Sequence, residues 1–476
     1  MADTLPNEHQ PGDGPEVHRR FVLGALATSA VLGPIACSGV REDARVAPPR
    51  SGGGQTRTKT ARDSRPLPPS IEPTIRVRVA KVRSKAGSPP KQIVLGRSGQ
   101  RLWVTTPELD LPGRAFQGPL KVRAGDGGWF LGTEGRRRQG TEQINTATPL
   151  AIAAIDDKPI EVNGKPIQGL IRIVRRTDLK PGECDVVCHL PMETYLPGVL
   201  HSELFGSWPE ATFEAQAVAA RSFACCERSF WIGRRHYDVV SGPSSQAWSG
   251  GDASDRARKA VKRTHGVVLV WDGKVVPAYY SSACGGLPAT ASDVISSHPS
   301  NRIDPLTVDG GQAARPRGCC EQSPHSSWSC EISSREIQKA IVAFGRSQGE
   351  RSLERLGPIR GIEVASRNSA GRPLRHRIVS TSSVEIDSED LRSALNGVKG
   401  IDGKSIRMKS SCLEFLPTSS GYAIQGQGFG HGVGLCQYGA KTMGVSGASP
   451  KDILARYYPG AHLVQAWSDG VRSSLV

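Results

Sequence analysis

Aromatic residues supply only 5% of this 476-residue chain, and it carries no zinc-finger, homeodomain or RNA-recognition signature. Those absences argue against nucleic-acid readout, which relies on such modules and on stacking side chains. The formal net charge of +16 therefore reads as attraction to acidic envelope polymers, with a solvated basic face at the Arg-rich turns. No repeat of fixed period is present, which excludes solenoids and propellers. Beyond one N-terminal stretch, no apolar run is long enough to cross a bilayer, so a membrane enters only through that stretch.

That stretch, FVLGALATSAVLGPIAC at residues 21–37, follows Arg19 and Arg20. Its length suits a secretory signal core and is short for a membrane span. Ile35, Ala36 and Cys37 resemble a lipoprotein cleavage box, with Pro34 where leucine is more usual, and the paired arginines also fit twin-arginine export. Lipid anchoring through Cys37 and plain cleavage both stay open. Either places the protein in the exported cell envelope, periplasmic or at the outer surface. Eleven cysteines fit an oxidising compartment. Cys184 with Cys188, and Cys284 with Cys319, Cys320 or Cys330, are candidate disulfides, whereas vicinal Cys225 and Cys226 read as small buried helix residues.

Residues 1–37 thus form a signal, and 38–74, rich in Arg, Pro, Ser and Gly, a disordered tether. From residue 75, the alternating segments IRVRVAKV, QRLWVTT, PLKVRAG, IEVNG and GLIRIVRR predict a β-rich N-terminal subdomain reaching residue 190. A catalytic region follows over 191–465, with a polar insertion near 345–400. It includes a hairpin turning through Asp272 and Gly273, and helices near 333–347 and 450–458. The class is α+β: a β-rich scaffold with a helical catalytic block, and two subdomains sharing one cleft.

The helical block carries the chemistry. Leu196, Val199, Leu200 and Glu203 recur at three-and-four spacing, so Glu203 shares a helix face with hydrocarbon. Such a setting raises a carboxyl pKa and suits a proton donor near neutral pH, although a helix-end ion pair with an arginine would leave the same pattern. Ser207 and Glu210, with Pro209 between them, predict a capping box opening a helix over about 208–231. Along it Ala217, Ala220 and Ala224 form a small-residue stripe for close packing, while Gln216 and Arg221 add polar groups.

The segment from Glu193 to Phe223 resembles the signature of the stage II sporulation protein D and amidase-enhancer family, a YLxGVxxxE block before WPxEAxxAQAxAAR. Tyr195, Leu196, Gly198, Val199 and Glu203 match the first block, and Trp208 to Arg221 the second. GFGHGVGLCQYGA, residues 428–440, is similar to the family's GxGHGxGxSQYGA, with Cys436 where serine is usual. SSACGGLPATASDV resembles its Ser-x-Gly-Gly segment. The resemblance covers roughly residues 76–465.

It implies a peptidoglycan lytic transglycosylase with Glu203 as catalytic acid. Ordinary glycosidases use two carboxyl groups, whereas here the 6-hydroxyl of the same muramyl sugar is the nucleophile. One glutamate then serves as acid and base and leaves a 1,6-anhydromuramyl end. Asp238, Asp252, Glu210 and Glu214 are the second carboxylates to exclude. Gln216, Arg221, Gln246, Ser282, Gly285, Gly286, His431, Gln437 and Tyr438 are the candidate substrate-binding residues, glycines admitting the glycan strand and the others bonding or stacking on it. No cofactor and no metal site is expected. His236 and Gln246 keep part of the family's zinc-binding form, but Val240 and Ser245 stand where thiols are needed. Two other readings stand beside the enzyme: a non-catalytic wall-binding enhancer of a separate cell-wall amidase, and a thiol hydrolase using Cys284 with His431.

Overall fold

The computed structural model describes residues 63–83, 92–109, 112–133, 141–176, 182–308, 320–470, 473 and 475. The expected signal, with Arg19, Arg20 and Cys37, lies outside them, as does Cys319. The alternating segments form strands whose inward residues are apolar. Ile75 and Val77 are fully buried in Thr74–Val82, and Leu120, Val122 and Ala124 alternate inward in Leu120–Gly125. One seven-stranded sheet runs Val239–Val240, Thr74–Val82, Cys184–Pro191, Leu170–Arg175, Leu150–Ala154, Arg101–Thr105, Arg114–Gln117. A six-stranded sheet is built from strands between Ile93 and Ile167. The fold is thus mixed and β-rich, as its sequence patterning requires.

The Cys184–Pro191 strand pairs antiparallel with both Thr74–Val82 and Leu170–Arg175, then runs directly into helix α1, Met192–Glu203. Helix α2, Glu210–Trp231, follows and packs against α1, against α3 (Asp255–Arg263) and against the helices Gln437–Val445 and Pro450–Tyr457. Ala215, Ala217, Ala219, Ala220 and Ala224 are all fully buried, which is what lets so many backbones approach α2. The expected capping box does not form. Pro209 is the N-cap and makes no side-chain bond, while Glu210 and Glu214 both reach Arg263 on α3. The helix starts at Glu210, so Ser207 lies two residues before the N-cap, Glu210 stands at the first helical position instead of the third, and the proline N-cap has no N–H for a glutamate to reach.

Two other expectations also meet tertiary structure. Residues 63–73, assigned to the tether, are anchored at points along their length, though Leu67 and Ile71 stay exposed: Arg65 is buried with Nη1 donating to Trp271 O at 3.0 Å, and Val275 N donates to Pro66 O. Glu72 Oε1 accepts from Glu193 N at 2.7 Å, at the start of α1. Cys184 and Cys188, proposed as a disulfide, lie four residues apart on one extended strand, which separates them by about 13 Å. The hairpin at Asp272 and Gly273 forms as expected, with φ of 51° and 68° at the two turn residues and Trp271 opposite Lys274.

A second hydrophobic core gathers Ile332, Ile337, Ile341, Ile378, Leu391, Leu395 and Ile424 under two three-stranded sheets and the helices Ser334–Gln348 and Ser388–Leu395. It extends on both sides of the 345–400 insertion. Its first and last strands in chain order, Ser327–Ser333 and Gly421–Gln427, pair antiparallel, so this part of the chain leaves and rejoins the rest at one place.

Candidate functional site

Glu203 is the last residue of α1, and its side chain is fully buried with Leu196, Val199 and Leu200. Its carboxyl oxygens have separate donors: Oε1 accepts from Ala247 N at 2.9 Å and Oε2 from Gln437 Nε2 at 3.2 Å. Burial lifts the carboxyl to about 7, and the two hydrogen bonds pull the other way without cancelling it. The first donor is placed by packing on α1. Gly198 lacks a Cβ that would stand 2.7 Å from Trp248 Nε1, so Trp248 lies on the helix and donates to Tyr195 O at 3.1 Å. The second is the first residue of the Gln437–Val445 helix. That end is fixed by the parallel pairing of Tyr280–Ser281 with Leu435–Cys436.

Several expected residues converge here. Tyr438 N donates to Ser282 O at 3.1 Å, and Gln216 lies one turn from both Thr212 and Ala220 on α2. Thr212 bonds to Ala440 O, and Ala220 O accepts from Gln246. Gln216 Oε1 and Nε2, Ser282 Oγ and Gln437 Oε1 are buried without a hydrogen-bond partner. Unsatisfied buried polar atoms are costly and uncommon in native folds, so Gln437 Oε1, on the side chain that meets the carboxyl, marks a place where a ligand's groups are wanted, with Gln216 and Ser282 on elements tied to the same helix end. An aromatic row borders it: Phe205, Trp208 and Tyr438 have successive ring centroids 5.5 and 5.0 Å apart, and His325 packs on Phe429 and Tyr438.

Other expected residues serve the scaffold. Arg221 meets Glu193, not Glu203, through Nε–Oε1 at 2.9 Å and Nη2–Oε2 at 2.7 Å, and its Nη1 donates to Val267 O. It ties α1 and α2 to the Val267–Trp271 strand. Gln246 accepts from Tyr195 Oη and donates to Tyr280 Oη, each at 3.0 Å, so its amide is already engaged. His431 Nδ1 accepts from Val433 N at 3.0 Å, and burial with Arg372 and Arg392 nearby pushes the ring down to about 3. Its ring bonds are to its own turn and to the Tyr280 backbone. Gly285 permits φ of +65° where a Cβ would press on Gly428 N at 2.6 Å, whereas Gly286 has open space around its Cα.

The second carboxylates nominated in the sequence are engaged elsewhere. Asp238 is held by Arg76, Oδ2 accepting from its backbone N–H at 2.9 Å and Oδ1 from Nε at 3.0 Å. Glu210 and Glu214 hold Arg263, and Asp252 is exposed. His236 Nε2 lies 2.8 Å from Asp185 Oδ2, a carboxylate shared with Arg78 and Arg176. Sequence reasoning missed the Ala247 N–H, because a backbone donor leaves no residue-type signature, and His325, whose neighbours come from distant parts of the chain.

A family profile described as Stage II sporulation protein matches residues 180–271, the stretch that contains α1, α2 and Ala247. A second, described as a domain of unknown function, matches residues 319–434, around the second core. An uncharacterized protein of Brachyspira hyodysenteriae is 28% identical over 59% of this chain and 68% of its own length. The amidase enhancer of Bacillus subtilis is 27% identical over 56% of the chain, which spans only 40% of that relative. Stage II sporulation protein D of Bacillus amyloliquefaciens is 24% identical over 58% of the chain and 75% of its own length. With the signature blocks meeting around one buried glutamate, the chain belongs to the stage II sporulation protein D and amidase-enhancer family.

Proposed function

We propose that this protein is an exported peptidoglycan lytic transglycosylase in which Glu203 acts first as acid and then as base. The observation that carries the reading is the burial of this one carboxyl, which raises it to about 7 while the four neighbouring acids nominated as partners are engaged elsewhere or exposed. Glu203 donates its proton to the glycosidic oxygen as the bond to C1 breaks. The muramyl 6-hydroxyl then attacks C1 and yields its proton to the Glu203 carboxylate, regenerating the acid. The Gln437 amide suits both states. It donates to the carboxylate as drawn and, turned over, presents its unpartnered Oε1 to the carboxylic O–H. Because the carboxyl is fully covered, glycan binding has to open a path to it.

The enhancer reading has its own support in the relative named amidase enhancer. In it the protein binds the wall and stimulates a separate amidase without cleaving glycan. Mass analysis of products from intact and peptide-free glycan strands, in water labelled with heavy oxygen, separates the two. Transglycosylation gives anhydromuramyl ends free of solvent oxygen, and Glu203→Gln abolishes them, a loss of about two to four powers of ten. Reducing ends carrying solvent oxygen refute the mechanism. No cleavage by either form, with undiminished stimulation of an added amidase, establishes the enhancer.

A further inference from the structure

Three cysteines separated by 36 and 116 positions meet in the first core. Cys284 follows the Tyr280–Ser281 strand, Cys436 ends its parallel partner, and Cys320 lies between them in the chain. Their sulfurs all lie within 4.8 Å of one another, and all three residues are buried. Cys284 Sγ and Cys320 Sγ are 3.7 Å apart. A disulfide needs about 2.05 Å, whereas two thiolates each about 2.3 Å from a tetrahedral zinc ion are separated by about 3.8 Å. An all-sulfur donor set disfavours magnesium and calcium, which take oxygen ligands, and suits zinc.

Charge gives an independent observation. Arg372 is fully buried, and among the described residues no carboxylate pairs with it. Its Nη1 donates to Leu287 O and its Nη2 to Ser411 Oγ, each at 3.0 Å, while Nε has no partner. These contacts bracket the thiols: Leu287 is three residues past Cys284, Ser411 adjoins Cys412, and a Cβ on Gly432 would stand 2.9 Å from Nη1. An unpaired buried cation is strongly unfavourable. Three thiolates around a divalent ion leave one net negative charge, which offsets it.

We infer that Cys284, Cys320 and Cys436 form a structural zinc site that staples the Cys284 turn and the Cys320 segment to the N-terminus of the Gln437–Val445 helix. The site is distinct from the incomplete His236 pattern. Cys436 is also that helix's N-cap, its Sγ accepting from Gly439 N at 3.4 Å, and the next residue is the donor to Glu203. The metal therefore fixes the helix end on which Gln437 is carried. Cys412, whose carbonyl accepts from Gln427 N beside the Gly285 turn, is the thiol to test for the fourth position.

The test is metal content, which needs no activity and does not depend on the transglycosylase reading. The full chain, purified under reducing conditions with zinc and then dialysed, should retain about one zinc per molecule. Cobalt in its place should give thiolate-to-metal charge transfer and the strong visible bands of a tetrahedral site. Cys320→Ser should lose both, and a chelator should lower the Tm of the wild type but not of the variant. Cys436→Ser, which keeps an oxygen at the N-cap, guards against misfolding: it should be folded by circular dichroism yet bind zinc at least tenfold more weakly. A Cys284–Cys320 disulfide in metal-free protein, retention of copper(I) with no zinc, or a folded reduced chain without metal would each overturn the assignment.

Discussion

Replacing Glu203 by glutamine should make the protein more stable at alkaline pH while removing its proposed acid. The ordinary glutamate value of 4.5 rises to about 7 in the fold. Below 4.5 the carboxyl is protonated in both folded and unfolded chains and contributes nothing. Between 4.5 and 7 the unfolded chain ionises while the folded one holds its proton, so stability falls as pH rises. Above 7 both are ionised and the full penalty is present. With about 1.4 kcal/mol per pH unit, that penalty is about 1 kcal/mol at pH 5 and about 3 kcal/mol at pH 8. Glutamine never ionises. Its Oε1 can still accept from Ala247 N, and its amide can donate to a turned Gln437, bonds that do not vary with pH. Urea unfolding of wild type and Glu203→Gln at several pH values gives the difference directly, since other titrating groups cancel. A gain for the variant that grows by about 2 kcal/mol from pH 5 to pH 8 is expected. The same gap at both pH values would refute the buried, raised carboxyl, and with it the physical basis for the acid.

Arg221→Met should destabilise the fold by about 3–5 kcal/mol, because it strands Glu193 where only Gly266 N and the start of α1 remain to it; chemical denaturation measures this, and lost activity at unchanged stability would return Arg221 to the binding site. Gln437→Leu removes a donor that favours the Glu203 carboxylate, so the alkaline limb of the cleavage pH profile should move to higher pH. Gly434→Ala should cost more than about 2 kcal/mol in unfolding measurements, since its φ is +65° and a Cβ would lie 2.0 Å from Tyr279 O, against the strand that carries Ser281.

What could be read from the sequence was local or periodic. The stripe ending at Glu203, the alternating strands and the Asp272–Gly273 turn each follow from spacing over a few residues, and each appears in the fold. Spacing does not reveal partners. Arg221 looked available because Glu193 lies 28 positions earlier and the Val267 carbonyl 46 later. Gln246 looked like a sugar ligand because nothing in HYDVVSGPSSQAW shows that two tyrosines, 51 and 34 positions away, already occupy its amide. Cys184 and Cys188 looked paired because their separation was counted in residues rather than along a strand. The thiol cluster was hidden for the same reason in reverse, its members being far apart in the chain and adjacent in space.

The second core has a consequence for how this family member varies. Ser327 stands opposite Gln427, Gly428 N donates to Ser326 O at 3.0 Å, and Trp328 Nε1 donates to Gly428 O. About a hundred residues thus depart and return through one doorway two strands wide, and closing so long an excursion costs only slightly more than closing a short one. Such a lodger can be lengthened, shortened or exchanged without re-registering the host's sheets or shifting Glu203 on α1. The threshold itself is less free. Gly428 packs against Ala283 and Cys284 and the GHG turn follows at once, while Arg372 reaches Leu287 O and Asn368 reaches Pro288 O, so evolutionary change in the lodger reaches the buried glutamate by way of the doorway residues and these side-chain contacts.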